Sequence, residues 1–289
     1  MRILITGGAG LLGSALIRAA PEGVDLHATR RTAPVLDLAR EHAVDLADAA
    51  ATAALLDAVR PELVIHTAYR QDTPERDVWR ATESVVLACR AAGAALIHLS
   101  SDVVFDGEHA PYAESAAPAP VHEYGRWKAH AERLVREQLP AAAIVRTSLI
   151  TRPDPPDTIS ARVIDSIRDT ARGGEPPRLF VDELRCPIGD EDLAAQLWEL
   201  AAMSPDAQAG FWHLAGPEAV SRYTLGVLVA RRHGVDADAI IPTRSRGAGL
   251  QRPRDLRLLT TRADCELRIF ARPISEVLFP ADGVRQSST

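Results

Sequence analysis

The chain has 289 residues and a mass of 31.2 kDa, and 46% of its residues are apolar, so it can bury a substantial core in one large domain or two small ones. Its formal net charge of −6 excludes the global basic field that attracts nucleic acid or an anionic membrane. The cysteines, Cys89, Cys186 and Cys265, are far apart and lack metal-ligand spacing, which is typical of reduced thiols in a cytoplasmic protein. No apolar run reaches the length of about 18 residues that spans a bilayer, and a strand-like segment begins at residue 2, so we expect neither a membrane helix nor a signal peptide.

A glycine-rich turn near the start of the chain predicts a dinucleotide site. Residues 2–6 read as a short buried strand, Gly7, Gly10 and Gly13 follow, and an apolar helix continues to residue 20. Glycines at this spacing let the backbone approach a pyrophosphate at the helix N-terminus, where free N–H groups and the helix dipole favour an anion. The position between a strand and a helix favours this interpretation over a flexible loop.

The second predicted strand, residues 24–29, runs into Arg30 and Arg31. In dinucleotide folds an acid at this point holds the ribose 2′-hydroxyl, whereas an arginine accommodates a 2′-phosphate. Because no acid is present, the sequence favours NADPH over NADH; the alternative is a pair of solvated arginines in a loop. Residues 44–46 read as a third strand, which would place Asp45 near the adenine.

Strands and helices alternate through the first half of the chain. The pattern predicts helices over 49–59, 72–92 and 123–138, and strands over 63–67, 95–100 and 143–147. This alternation indicates right-handed βαβ units and a doubly wound, Rossmann-like α/β fold with a parallel sheet. His66 and His98 fall inside two of the strands, which favours core or strand-end histidines over catalytic ones.

The character of the chain changes after Thr147. Proline-rich loops at 151–158 and 173–177 are followed by a strand at 178–181, a helix at 190–202 and an apolar segment at 211–214. We predict a dinucleotide-binding domain over 1–150, joined by about 186–214. A smaller substrate-binding region would comprise 151–185 and 215–289.

Lys128 is the only lysine in a chain whose other 32 cationic side chains are arginines. It follows Tyr124 by four residues in a predicted helix, so the two side chains share a face. An ammonium is a compact charge with three donors, and beside a phenol it favours the phenolate and proton transfer near neutral pH. The alternative is a chance coincidence on a surface helix.

Ser101 follows the predicted strand 95–100, and parallel sheets bind ligands beyond the carboxyl ends of their strands. We therefore expect Ser101, Tyr124 and Lys128 at one crevice. The serine can orient a carbonyl oxygen, the tyrosine can donate a proton, and the lysine can hold ribose hydroxyls while a nicotinamide supplies hydride. This chemistry requires no metal.

The combination of Thr6-Gly7-x-x-Gly10-x-x-Gly13, Ser101 and Tyr124-x-x-x-Lys128 resembles the extended short-chain dehydrogenases/reductases. Further stretches resemble the dTDP-4-dehydrorhamnose reductase branch: residues 100–107 (SSDVVFDG), 146–148 (RTS), 186–188 (CPI) and 252–255 (RPRD). The resemblance spans essentially the whole chain. It implies catalysis by Ser101, Tyr124 and Lys128, and a small substrate domain after residue 150.

The predicted binding residues fall into two sets. Those predicted for the cofactor are Gly7, Gly10, Leu11, Leu12, Gly13, Arg30, Arg31, Asp45, Leu46, Ala68, Tyr124 and Lys128. Those predicted for the substrate are Ser101, Asp102, Val103, Arg185, Arg252 and Arg254. Arg252 and Arg254 come first for a substrate pyrophosphate, because guanidinium groups hold phosphate oxygens in pairs, although structural ion pairs are an equally open interpretation.

The chain departs from the family pattern at several points. It contains no asparagine, so the family's helix asparagine before the catalytic strand is absent, and the corresponding stretch reads Asp77–Thr82. The first helix reads Ser14-Ala15-Leu16 without the acid that serves a metal-linked dimer in this branch, so no metal is predicted. Val103 stands where the resembling dehydratases carry a glutamate, which disfavours elimination.

We therefore predict an NADPH-dependent ketoreductase acting on a nucleotide-linked 4-keto sugar or a related metabolite. A sugar-nucleotide epimerase of the same fold stays open, because it needs only a hydride shuttle and a rotating ketone. So does a non-catalytic dinucleotide-binding or regulatory subunit, since such proteins occur among relatives of this branch. A homodimer is compatible with each of these readings.

Overall fold

The computed structural model describes residues 1–246 and 252–280, so residues 247–251 and 281–289 of the predicted substrate-binding region lie outside the described residues. The strands are β1 (Arg2–Thr6), β2 (Asp25–Arg30), β3 (Arg40–Ala43), β4 (Leu63–His66), β5 (Ala95–Leu99), β6 (Ala143–Arg146), β7 (Ile150–Thr151), β8 (Arg178–Phe180), β9 (Leu184–Arg185), β10 (Ile188–Gly189), β11 (Gly210–His213), β12 (Val220–Ser221) and β13 (Ile241–Thr243). The helices are α1 (Leu11–Arg18), α2 (Ala49–Val59), α3 (Ala81–Ala92), α4 (Glu123–Gln138), α5 (Thr158–Thr170), α6 (Asp190–Ala201), α7 (Pro205–Gln208), α8 (Arg222–Arg232), α9 (Thr261–Glu266) and α10 (Ile274–Leu278).

A seven-stranded parallel sheet organises the molecule, in the order β11-β6-β5-β4-β1-β2-β3. From β1 the sheet grows outward through β2 and β3, and the chain then crosses back to add β4, β5, β6 and β11 on the other side. This change of direction between β1 and β4 opens a crevice at the carboxyl ends of the two strands. The predicted Rossmann-like α/β class is confirmed.

Successive side chains of each strand point to opposite faces of the sheet and pack in two apolar cores, one on each face. On one face Ile3 and Ile5 of β1 join the core that includes Leu193 of α6 and Leu16 of α1. On the other face Leu4 of β1 packs in the core formed with α2, α3 and α4. Because both faces are covered, the strands read as almost continuous apolar runs.

The third strand is not where the sequence predicted it. Residues 44–46 lie after β3, which is formed by Arg40–Ala43 at the edge of the sheet. Three of its four residues are exposed, so the strand is held by backbone pairing with β2 rather than by apolar burial. A pattern search based on buried apolar residues therefore misses it.

The predicted helix 72–92 is divided in two. Glu75–Arg80 form a π-helical turn that continues directly into α3. Such turns are rare and occur often at functional sites, because they re-aim side chains within a helix. Here the turn buries Asp77 at the edge of the crevice.

Part of the chain after Thr147 returns to the central sheet. Strand β11 pairs with β6, and α6 packs against α1. Helices α5, α8 and α10 pack together in an apolar cluster apart from the core of the central sheet, and α5 and α8 share a second one. Strand β8 pairs with β13. The boundaries of the two predicted domains remain a prediction, and these contacts are compatible with them. Within the described residues, no helix is both long and apolar enough to cross a membrane.

Candidate active site

A cleft of about 960 Å³ runs along the carboxyl ends of the parallel strands, from the glycine-rich turn to the segment around Arg252. Every residue that the sequence predicted for catalysis, cofactor or substrate lines this cleft except Arg254. The fold therefore collects side chains from widely separated parts of the sequence into one site.

The glycine-rich turn is shaped for close approach. A Cβ atom on Gly13 would lie 2.2 Å from the carbonyl oxygen of Gly7, so a larger residue would displace the turn. Gly7 itself has a φ of +72°, in the region that favours glycine. Helix α1 begins after Gly10 without a side-chain cap, so its first N–H groups face the cleft and can hold an anion.

The residues predicted to bind the adenosine end of the cofactor form ion pairs within the protein. Arg30 Nε lies 2.5 Å from a Glu41 oxygen, and Arg31 Nη1 lies 2.7 Å from Asp77 Oδ1. Asp45 is likewise paired, with Arg76. A 2′-phosphate would therefore compete with Glu41 for Arg30.

Tyr124 and Lys128 lie one turn apart on α4, as the sequence predicted. The Lys128 ammonium is buried, donates to the carbonyl oxygen of Leu99 at 2.7 Å, and lies 5.1 Å from the centroid of the Tyr69 ring. Burial lowers the pKa of Lys128 from 10.5 to about 8, although Glu132 opposes the change. With this pKa the side chain is still mostly protonated at neutral pH.

The Tyr124 phenol remains protonated near neutral pH. Burial raises its pKa well above 10, and the neighbouring Tyr69 and Asp102 add to the effect. This direction is opposite to the one expected from a nearby cation, and burial is its largest cause. A protonated phenol is the form that a proton donor requires.

The end of β5 is held close to α4. A Cβ atom on Gly125 would lie 2.3 Å from the carbonyl oxygen of Val103, so only glycine allows this approach. The ring of His122 caps the helix by accepting the N–H of Gly125 at 3.1 Å. These contacts set Tyr124 beside the 3₁₀ turn that follows Ser101.

Asp102 lies beneath the serine and is almost fully buried. Ser148 donates to one of its carboxylate oxygens at 2.7 Å, and Ser101 donates to the other at 3.2 Å. Burial raises the pKa of Asp102, and the Arg185 guanidinium at 4.0 Å partly counters this. Asp102 thus fixes the position of the Ser101 hydroxyl at the floor of the cleft.

The arginines predicted for the substrate already have protein partners. Arg185 donates to the carbonyl oxygens of Leu184, Pro253 and Arg254 at 2.7 to 3.1 Å. Arg252 forms a two-pronged pair with the buried Glu183, with distances of 2.5 and 3.1 Å. Arg254 contacts Glu108 and is not among the residues that line the cleft.

Sequence reasoning missed Arg222, the first residue of α8. Its half-buried guanidinium lines the cleft and forms no hydrogen bond or ion pair with any other described residue. Burial and the nearby charge of Arg185 lower its pKa. Ser221, which caps α8, was the available signal: it marks the helix start and so places the next residue at a helix N-terminus.

Tyr69 was also missed. It follows β4, and its ring centroid lies 5.9 Å from that of Tyr124.

The described residues contain no cluster of three or more histidine, cysteine, aspartate or glutamate side chains placed to bind a metal ion.

The fold and this site define the class of NAD(P)H-dependent oxidoreductases with the extended short-chain dehydrogenase/reductase fold. More narrowly, the chain belongs to the RmlD substrate binding domain family, whose model matches residues 1–278.

Proteins similar to this chain carry different names and roles. A methionine adenosyltransferase 2 subunit beta from Rattus norvegicus is 30% identical over 275 residues, 89% of this chain and 80% of the relative. A dTDP-4-keto-6-deoxy-D-glucose reductase from Streptomyces niveus is 29% identical over 270 residues, 88% of this chain and 86% of the relative. The crystal structure of a hypothetical dTDP-4-dehydrorhamnose reductase from Sulfolobus tokodaii has a TM-score of 0.79 at 25% identity, covering 94% of this chain and 97% of that one.

Proposed function

We propose that the protein is an NADPH-dependent ketoreductase that reduces the keto group of a nucleotide-linked 4-keto sugar or a related metabolite. The observation that carries the proposal is the protonated Tyr124 phenol one helical turn from the buried Lys128 ammonium, beside Ser101, in a cleft that begins at the glycine-rich turn.

The residues divide the chemistry between them. When bound, the nicotinamide supplies hydride to the carbonyl carbon. The Ser101 hydroxyl would exchange its hydrogen bond to Asp102 for one that orients the carbonyl oxygen, and Tyr124 donates the proton that converts this oxygen to a hydroxyl. Lys128 holds ribose hydroxyls and stabilises the phenolate left on Tyr124.

The shape of the glycine-rich turn supports a dinucleotide at this place. The turn has no room for a Cβ at Gly13, and the uncapped start of α1 offers N–H donors for a pyrophosphate. Leu11, Leu12, Leu46 and Ala68 would supply apolar contacts along the same wall.

The direct test is consumption of NADPH in the presence of candidate keto-sugar nucleotides, followed by the loss of its absorbance. A reductase consumes one NADPH for each ketone reduced. An epimerase returns the hydride to its product, so the ketone and NADPH would both persist. Binding of NADPH without its consumption in the presence of any candidate ketone would contradict the reductase activity.

A second candidate is a non-catalytic dinucleotide-binding subunit of a larger assembly. The similarity to a methionine adenosyltransferase 2 subunit beta favours it. This role predicts cofactor binding that is unaffected by Tyr124→Phe and a change in the activity of a partner enzyme rather than turnover of a ketone.

We infer that Arg222 binds the phosphate groups of the substrate. Since Arg185 and Arg252 are occupied by protein partners, Arg222 is the cation best placed to gain from an anionic ligand. Arg222→Gln is expected to raise KM for a keto-sugar nucleotide about 10- to 100-fold and to leave NADPH affinity unchanged, since a charge-assisted contact contributes about 1.5 to 3 kcal/mol. Steady-state kinetics and cofactor titration check both parts.

Arg232→Gln is the matched control for that experiment, because this arginine is exposed at the opposite end of the same helix. It should leave KM unchanged. An equal effect of both substitutions, or none at Arg222, would remove Arg222 from the substrate site.

We infer that Arg30 and Arg31 select NADPH through its 2′-phosphate. Arg30→Ala is expected to weaken NADPH binding about 10-fold and NADH binding little, because NADH lacks the phosphate. Arg40→Ala, on the neighbouring strand and strongly exposed, is the matched control. Equal affinity of the unaltered protein for both nucleotides, measured by fluorescence titration, would contradict this preference.

A further inference from the structure

Two histidines lie side by side beneath the cleft. His66 of β4 and His98 of β5 are register partners in the parallel sheet, and their ring centroids are 5.5 Å apart. Both are buried, with exposed fractions of 2% and 0%. They alternate with Ile65 and Ile97, which face the opposite core, so the rings face the layer of α3 and α4 that carries Lys128.

The two rings differ in their hydrogen bonding. His66 is satisfied at both nitrogens, by Thr6 Oγ1 at 2.7 Å and by Thr82 Oγ1 at 3.1 Å. Neither ring nitrogen of His98 has a hydrogen-bond partner among the described residues. A neutral imidazole has one donor and one acceptor, and leaving such a buried group unsatisfied costs about 1 to 3 kcal/mol. The buried His98 ring therefore needs a hydrogen-bond partner that the described residues do not supply.

The Lys128 ammonium, in turn, has fewer hydrogen-bond acceptors than donors. Its ammonium carries three donors, and the carbonyl oxygen of Leu99, the residue after His98, is its one hydrogen-bond acceptor within the described parts of the chain. Burial, together with the charge of Lys128, lowers the pKa of both histidines, that of His66 to about 3. Both rings near Lys128 are thus neutral, and of the two only His98 has ring nitrogens without a partner among the described residues.

We propose that a buried water molecule accepts a hydrogen bond from the Lys128 ammonium and donates one to the ring of His98, which makes His98 a positioning residue for Lys128. A buried water needs two to four polar partners, and these two groups provide them where Leu99 alone cannot. The role of Lys128 in reduction rests on the proposed function, but the hydration of its ammonium does not. The water would replace part of the solvation that burial removes and so keep the ammonium charged near neutral pH.

Because Lys128 is the only lysine, its titration can be followed alone. Protein grown with ¹³C-labelled lysine gives one ε-carbon resonance, whose chemical shift reports the pKa of the ammonium. The other titratable groups around it are Tyr124 and Glu132 on α4, Tyr69 after β4, and the two buried histidines.

His98→Leu fills the volume but cannot hold the water, so the pKa of Lys128 should fall by about one unit or more. His98→Gln keeps a donor and an acceptor, so it should leave the pKa close to that of the unaltered protein. An unchanged pKa in His98→Leu would overturn the proposal, as would equal shifts in both variants.

A crystal structure of the unaltered protein provides a second measurement if His98→Leu fails to fold. Ordered solvent density between the His98 ring and the Lys128 ammonium supports the proposal, and its absence there in well-defined density overturns it. Neither experiment requires substrate. Failure of the ketoreductase assignment would appear instead as a lack of turnover while the titration behaves as expected.

Discussion

Tyr124→Phe is expected to lower kcat for ketone reduction by about 10²- to 10⁴-fold, the usual contribution of a positioned general acid. The substitution removes only the hydroxyl. The ring keeps its contact with Tyr69 and its place on α4, so cofactor affinity should change little. Stopped-flow measurement of NADPH oxidation, with a parallel cofactor titration, separates the two effects.

Tyr69→Phe is the control for this experiment. It removes a phenol from the same cleft, with its ring centroid 5.9 Å from that of Tyr124. Because Tyr69 has no assigned proton-transfer role, kcat should remain within a few-fold of the unaltered enzyme. Turnover that survives in Tyr124→Phe would rule out the proposed mechanism, whatever the control shows.

Lys128→Met is expected to abolish reduction and, at neutral pH, to stabilise the fold by about 1 to 3 kcal/mol. A buried ammonium whose pKa is lowered from 10.5 to about 8 is less favourable in the folded than in the unfolded chain. Methionine fills the space without this cost. The free energy of unfolding, measured in urea at about pH 7, checks the direction.

The same pKa predicts how stability depends on pH. Between about pH 8 and 10.5 the unfolded chain binds a proton at Lys128 that the folded chain has released, so the stability of the unaltered protein should rise with pH across this window. The unfavourable contribution is complete below pH 8 and is absent above 10.5. The difference between the unaltered protein and Lys128→Met should therefore shrink from about pH 7 to about pH 10. A constant difference would show that Lys128 is not desolvated.

The sequence predicted those parts of the site that depend on local pattern. Gly7, Gly10 and Gly13 follow a strand, and Tyr124 and Lys128 share a helix face, so their spacing alone indicates which side chains meet. Residue composition added one more signal, since a lone lysine among 32 arginines is conspicuous. Together these signals predicted the edge of the sheet at which the cleft lies and the three residues proposed for catalysis.

What the sequence could not predict depends on partners distant along the chain. Nothing near Arg252 in the sequence reveals that Glu183 neutralises it. Ser221 marks a helix start beside Arg222, but it does not reveal that Arg222 lines the cleft without an ion-pair partner among the described residues. Because arginine serves as almost every cation here, composition does not separate a ligand-binding arginine from a structural one. The exposed strand β3 was missed for a related reason, since its backbone pairing leaves no apolar pattern.

Because Lys128 is buried, the chemical reactivity of its amine reports how often the structure around it opens. Its side chain holds the sole ε-amino group of the sequence, and only 4% of this residue is exposed. Amine-selective acylating reagents should therefore modify this position at a rate set by transient exposure of α4 from the sheet, and a tightly bound nucleotide should slow that reaction in proportion to its occupancy.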